Sequence, residues 1–133
     1  MTQAVTFTAD RIKATLDTYY GGMSRLDMPS CAGAFAPDGV SEDPNGSEPQ
    51  RGRAAIAAYF EGLASSLQSF HIAPTAVYTS GDGASVVWAA SWKGRNGRSG
   101  DFTGVDVITI DGNGEISSLV GYWDTSVLAE MSA

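Results

Sequence analysis

Apolar residues recur in steps of three and four from about Thr8 to Asp27, at Ile12, Leu16, Tyr19, Met23 and Leu26. That stripe predicts an amphipathic first helix. Pro29 suits the first turn of a second, short helix running through Phe35, because a first turn does not need its missing N–H. The run Pro37 to Gly52 is rich in turn residues and has room for one short strand around Val40. From Arg53 the segment AAIAAYFEGLASSL places Ile56, Tyr59, Phe60, Leu63 and Leu67 on one side, which predicts a third helix despite Gly62. Beyond Phe70 β-rich runs take over. Four strands are expected, at Phe70 to Tyr78, Ala84 to Lys93, Asp101 to Ile110 and Glu115 to Ser126, joined through the turns SGDG, GRNGRSG and DGNG. Helices followed by consecutive antiparallel strands form an α+β pattern in which helices cover one sheet face. Function is then expected in a pocket between the two layers.

Composition narrows the classes of function. A chain of 133 residues is the size of one domain, expected to span 1–133, and 43% hydrophobic residues suit a folded core rather than disorder. The net charge of -7, with eight scattered Lys and Arg, opposes binding to nucleic acid or to an anionic membrane. The lone Cys31 cannot form an intrachain disulfide, and no Cys/His cluster has zinc-ligand spacing. The N-terminus lacks a secretory pattern and no apolar run approaches the roughly 20 residues of a membrane span. A cytoplasmic protein is therefore expected.

Three residues attract chemical interest. In Asp101-Phe-Thr-Gly-Val-Asp-Val-Ile-Thr-Ile, period two puts Phe102, Gly104, Asp106, Ile108 and Ile110 on one face, so Asp106 sits among apolar neighbours. Burial there would favour the protonated carboxyl, a hydrogen-bond donor. A register one residue off would put Asp106 on the wet face instead. Tyr19 lies on the apolar stripe of the first helix and points toward the same interior; Tyr20 takes its place if the helix phase is off by one. Asp43 lies in Ser-Glu-Asp-Pro-Asn-Gly, where Pro44 favours an extended conformation and Asn-Gly a turn. It reads either as a turn residue or as an ionised base at the pocket mouth. His71, the only histidine, suits a structural or solvated role, and Ser24, Ser30 and Cys31 lack the setting of a nucleophile. No glycine-rich loop has a phosphate-binding pattern, so no cofactor is expected.

This combination resembles the Δ5-3-ketosteroid isomerases, small enzymes of the nuclear-transport-factor-2-like, SnoaL-like superfamily. Phe35-Ala-Pro-Asp-Gly-Val-Ser-Glu-Asp-Pro-Asn-Gly is similar to the segment that bears the family's catalytic base, here Asp43. Tyr19 stands 24 residues before it, as the oxyanion-binding tyrosine does, and Gly104-Val-Asp-Val-Ile resembles the strand with the protonated aspartate, here Asp106, 63 residues after Asp43. Gly121-Tyr-Trp-Asp resembles the final strand, with Trp123 as a pocket wall.

The resemblance implies a cone of three N-terminal helices on a curved, mainly antiparallel sheet, and a cofactor-free steroid Δ-isomerase. Asp43 would carry a proton from C4 to C6 of a 3-oxo-Δ5-steroid through a dienolate held by Tyr19 and protonated Asp106. Phe35, Phe60, Val86, Trp88, Phe102 and Trp123 are the expected walls around a small apolar ketosteroid-like substrate. A homodimer is expected by the same analogy. The chain departs from the family at Phe60 and Phe35, where relatives carry hydroxyls that support the catalytic tyrosine. The alternatives are a dehydratase or polyketide cyclase of the same fold, favoured if His71 enters the pocket beside Asp43, or a non-catalytic binder of steroids or other hydrophobic ligands.

Overall fold

The computed structural model describes residues 9–133. Helix α1 (Ala9–Ser24) buries Ile12, Leu16, Tyr19, Tyr20 and Met23, and α2 (Met28–Ala32) follows after a tight turn. Asp27 starts α2: its carboxylate accepts from the backbone N–H of Ser30 (3.2 Å) and from the Ser30 hydroxyl (2.6 Å), and Pro29 occupies the first turn. The first predicted helix therefore stops short of Asp27, because that side chain caps the next one. The second also ends early, and Phe35 opens a strand instead. Thr8, the predicted start of the first helix, lies outside the described residues.

Strand β1 (Phe35–Glu42) is longer than the short strand expected around Val40, and β2 (Gln50–Arg51) pairs with it. Helix α3 (Arg53–Ala64) ends before Leu67, which begins β3 (Leu67–Ser80). Next come β4 (Gly83–Gly94), β5 (Ser99–Ile110) and β6 (Ile116–Trp123). The last strand stops at Trp123, three residues short of the expected Ser126, and a fourth helix, α4 (Ser126–Ser132), follows where the sequence pattern predicts no element. Its amphipathic signal is only seven residues long, too short to stand out from a strand by periodicity.

The six strands form one curved mixed sheet in the order β2-β1-β6-β5-β4-β3, open at both edges. All neighbours are antiparallel except β1 and β6, which run parallel. Side chains of β4 and β5 alternate as period two requires: Val86, Trp88 and Ala90, with Asp106, Ile108 and Ile110, face the helices and are buried. The helices are tied to this face by specific bonds. Ser24 Oγ donates to the Ile72 carbonyl (3.0 Å) and accepts from the Ile72 N–H (3.0 Å), while Thr15 Oγ1 donates to the Gly114 carbonyl (2.6 Å). Arg53, opening α3, donates to the Phe35 carbonyl (2.8 Å) and pairs with Glu115. Among the described residues no helix is long and apolar enough to cross a membrane.

Candidate acid–base site in the apolar cavity

Three neighbouring strands build the site, and a glycine stands at its centre. Asp106 on β5 pairs directly with Gly121 on β6. On the other side of Gly121, β1 runs out at Glu42, paired with Val120, so Asp43 comes alongside Gly121. The Asn45 N–H donates to the Gly121 carbonyl (2.6 Å), and the Tyr59 hydroxyl donates to the Asp43 carbonyl (2.9 Å), pinning the segment at both ends. The Asp43–Pro44 peptide is cis. A Cβ at Gly121 would overlap Asp43 Oδ1 and lie 3.1 Å from Asp106 Oδ1. The missing side chain is what lets the two carboxyls meet from adjoining strands. Gly104 does the same for Trp88 on β4, whose indole ring occupies the space a side chain there would fill.

Asp43, Asp106 and Tyr19 all line a cavity of ≈ 80 Å³ that is otherwise apolar, walled by Phe60, Trp88, Phe102 and Trp123, with Val127, Leu128 and Met131 of α4 also in its lining. The placement of Asp43 differs from a base at an open mouth: it is only 7% exposed. Of the six expected walls, Phe35 and Val86 do not reach the cavity. Both are wholly buried, packed into the core beneath the site rather than facing its space. Phe35 instead packs edge-on against Tyr19 at 5.8 Å.

Burial and charge separate the two acids. Burial raises the Asp43 carboxyl above its ordinary range, but the Trp123 indole N–H donates to Asp43 Oδ1 (2.6 Å) and favours the ionised form. Asp106 is pushed up to about 8, first by burial and then by the charge of Asp43, against a hydrogen bond from the Tyr20 hydroxyl to Oδ2 (2.6 Å). The indole N–H of Trp88 is near the Asp106 carboxyl and also favours its charge, yet makes no hydrogen bond of good geometry. The Asp43 charge is thus one of the causes that raise Asp106, which makes Asp43 the carboxylate of the pair and Asp106 the member whose proton is favoured. Burial holds the Tyr19 hydroxyl well above its ordinary value, with the Cys31, Asp43 and Asp106 groups adding to the shift, so it stays a neutral donor. Among the described residues that hydroxyl has no hydrogen-bond partner: Phe60 meets Tyr19 only by its ring, at 6.4 Å.

The two tyrosines thus divide the work that periodicity could assign to only one of them. Tyr19 lines the cavity, while Tyr20 lies outside its lining and holds Asp106. Sequence reasoning missed this bond, the Trp123 bond to Asp43 and the centring role of Gly121; a glycine inside a strand pattern was the one available signal. His71 is exposed on β3, opposite Ser91, and lines a shallow depression with Ser91, Asp101 and Thr103 away from the acids. Among the described residues no three His, Cys, Asp or Glu side chains gather as a metal site.

Comparison with known proteins fits this architecture. The family model of the SnoaL-like domain matches residues 16–119. The chain belongs to the SnoaL-like family. No curated protein matches the sequence. Among solved structures, the chain is similar to SalBIII, described as an epoxide hydrolase/cyclase-like enzyme in pyran ring formation in the polyether salinomycin. The identity is 24%, the TM-score 0.76, and the match covers 88% of this chain and 93% of that one. A protein from Catenulispora acidiphila with a ketosteroid isomerase-like fold, in complex with trimethylamine, matches at 17% identity and TM-score 0.78, over 89% and 91% of the two chains. TerC, co-crystallised with polyporic acid, matches at 16% identity and TM-score 0.78, over 92% and 99%. At these identities the SnoaL-like family resemblance carries the nuclear-transport-factor-2-like fold, and the chemistry has to come from the site.

Proposed function

We propose that this protein is a steroid Δ-isomerase that moves a double bond into conjugation with a ketone, turning a 3-oxo-Δ5-steroid into the 3-oxo-Δ4 isomer. The observation that carries the reading is one apolar cavity lined by the two carboxyl groups of Asp43 and Asp106 and by the Tyr19 hydroxyl. Asp43 takes the C4 proton. The dienolate's charge gathers on the C3 oxygen, where Tyr19 and protonated Asp106 donate hydrogen bonds from largely apolar surroundings. Asp43 then delivers the proton to C6, and the enzyme returns to its starting state without a cofactor. Phe60, Trp88, Phe102 and Trp123 supply a flat apolar surround. The reading includes a homodimer formed through the outer sheet face.

A second reading uses the same pair of acids. Two carboxyl groups converging on one spot, one charged and one protonated, also suit ring closure, with Asp43 activating a hydroxyl and Asp106 protonating the oxygen that leaves. The position of His71 outside the cavity removes the feature that would favour a dehydratase or a polyketide cyclase, so the ring-closure reading rests on the two acids alone.

Ultraviolet absorbance of the conjugated enone, with 5-androstene-3,17-dione as substrate, tests the first reading. Asp43→Asn is expected to lower turnover by about 10²- to 10⁴-fold, the range for a positioned base. Tyr19→Phe should lower it by about 10²- to 10³-fold, as loss of one oxyanion donor does. A folded wild type that leaves the steroid unchanged would turn the assignment to ring closure.

A further inference from the structure

Asp106 has two carboxyl oxygens, and the structure treats them differently. Oδ2 is held from α1 by the hydroxyl of Tyr20 at 2.6 Å, in a buried bond between residues 86 positions apart. Oδ1 turns toward the bare backbone of Gly121, where Asp43 Oδ1 also points. Tyr20 is 3% exposed and lies outside the cavity lining, so it does not reach a ligand. Its ring is fixed edge-on by Tyr19 at 4.9 Å, which gives the hydroxyl a defined direction.

A carboxyl that accepts a hydrogen bond on one oxygen carries its own proton more favourably on the other. We propose that Tyr20 is a positioning residue for Asp106, which by donating to Oδ2 assigns the acid proton to Oδ1 and aims it at the space shared with Asp43. The proposal rests on the reading of Asp106 as a donor to the substrate oxygen. It also gives the adjacent tyrosines separate tasks: Tyr19 donates to the ligand, Tyr20 to the acid behind it. Without Tyr20 the carboxyl could rotate and carry its proton on the oxygen that faces α1.

The groups facing Asp106 are Tyr19 and Tyr20 from α1, Cys31 from α2, Asp43 at the end of β1, and the Trp88 indole from β4. Of these, Tyr20 is the one that hydrogen-bonds the carboxyl and stabilises its charged form, so removing its hydroxyl must raise the pH at which Asp106 ionises. This yields a signature that loss of packing does not produce. In Tyr20→Phe the plateau rate falls while the alkaline limb of the pH profile moves upward.

Two measurements on the full chain decide it. The first is a carbon-13 NMR titration of labelled aspartate carboxyls in the wild type and Tyr20→Phe, without substrate, with Asp106→Asn assigning the resonance. Asp106 should titrate at higher pH in Tyr20→Phe; an unmoved midpoint in a folded variant overturns the proposal, and the outcome is independent of whether the steroid is the substrate. The second is isomerase kinetics in a double-mutant cycle. Tyr20→Phe should lower the plateau kcat by about 10- to 100-fold, as loss of a supporting hydrogen bond does behind a metal ligand. In an Asp106→Ala background, which leaves neither an acceptor for Tyr20 nor a donor to the substrate, the same change should alter kcat by less than about twofold. Equal losses in both backgrounds would show that Tyr20 acts through packing and overturn the proposal.

Discussion

A carboxyl kept protonated by burial weakens the fold wherever the solution would ionise it. The folded-state value for Asp106 is about 8, against 3.8 for the free side chain. Between roughly pH 4 and pH 8 the native state holds a proton that the unfolded chain has released, so stability falls as pH rises through this window and levels off above it. Asp43, also raised by burial, adds to the decline with the same sign. The surface acids Asp27 and Asp124, lowered by hydrogen bonds from Ser30 and Ser126, act oppositely and only at more acid pH. Asp106→Asn keeps the shape without the ionisation. It should therefore raise the melting temperature at pH 8 while leaving it nearly unchanged at pH 4, as calorimetry at the two values would measure. An equal effect at both would mean that Asp106 does not titrate in this range. The facing of Asp106 was legible because five alternating positions on β5 agree with one another. The choice between Tyr19 and Tyr20 was not, since adjacent residues of a helix lie 100° apart and both can be buried on a broad apolar stripe.

At the scale of elements, what sequence concealed is mostly termination. Leu67 fits the stripe of α3 and also the first inward position of β3; β3 has it because the helix ends at Ala64 and Leu67 pairs with Gly94. Helix α4 follows the last expected strand, where the sequence pattern predicts no element, although it lines the cavity. A space of ≈ 80 Å³ is small beside the roughly 300 Å³ or more of pockets that hold drug-sized ligands, so a four-ring substrate requires the lining to move, and α4 is the short terminal helix in that lining. The restraint is identifiable. Asn96, in the turn between β4 and β5, donates from Nδ2 to the Ala133 carbonyl (2.8 Å) and the Glu130 carbonyl (3.2 Å). Asn96→Ala removes these bonds from a surface position, together with the bond that Asn96 Oδ1 accepts from the Arg98 N–H inside the turn (2.9 Å). One such bond contributes about 1 kcal/mol, close to a fivefold change in a local opening equilibrium. Hydrogen exchange of the amides in 126–132 should accelerate by about that factor while β4 and β5 exchange as before. Unchanged exchange in α4 would mean that Val127 and Met131, packed on Leu67 and Trp92, hold the helix alone.

For the whole molecule, the sheet has two faces with different tasks. The inner face holds the cavity. On the outer face, cross-strand pairing sets Tyr78, Ser85, Val107 and Val120 in one row and Ala76, Val87, Val105 and Tyr122 in the next. Tyr78 is 68% exposed, Val107 45% and Tyr122 47%. Further along the same face His71, Ser91 and Asp101 form a polar row, so the apolar area is bounded. A contiguous apolar patch on a strand face calls for a partner, and a second copy of the chain is the partner the ketosteroid isomerase reading expects. A standard interface covers about 800 Å² per partner, within reach of a sheet of this size. Light scattering at micromolar concentration should give twice the 13.9 kDa chain mass. Replacing Val107 and Tyr122 together by lysine places two like charges from each copy against a low-dielectric interface, which costs more than the lost contact area alone. The double variant should run as a monomer with an unchanged circular dichroism spectrum, because both side chains point away from the cavity and the core. A monomeric wild type would contradict the dimer and leave this face to another occupant. A variant that remains dimeric would place the interface elsewhere on the chain.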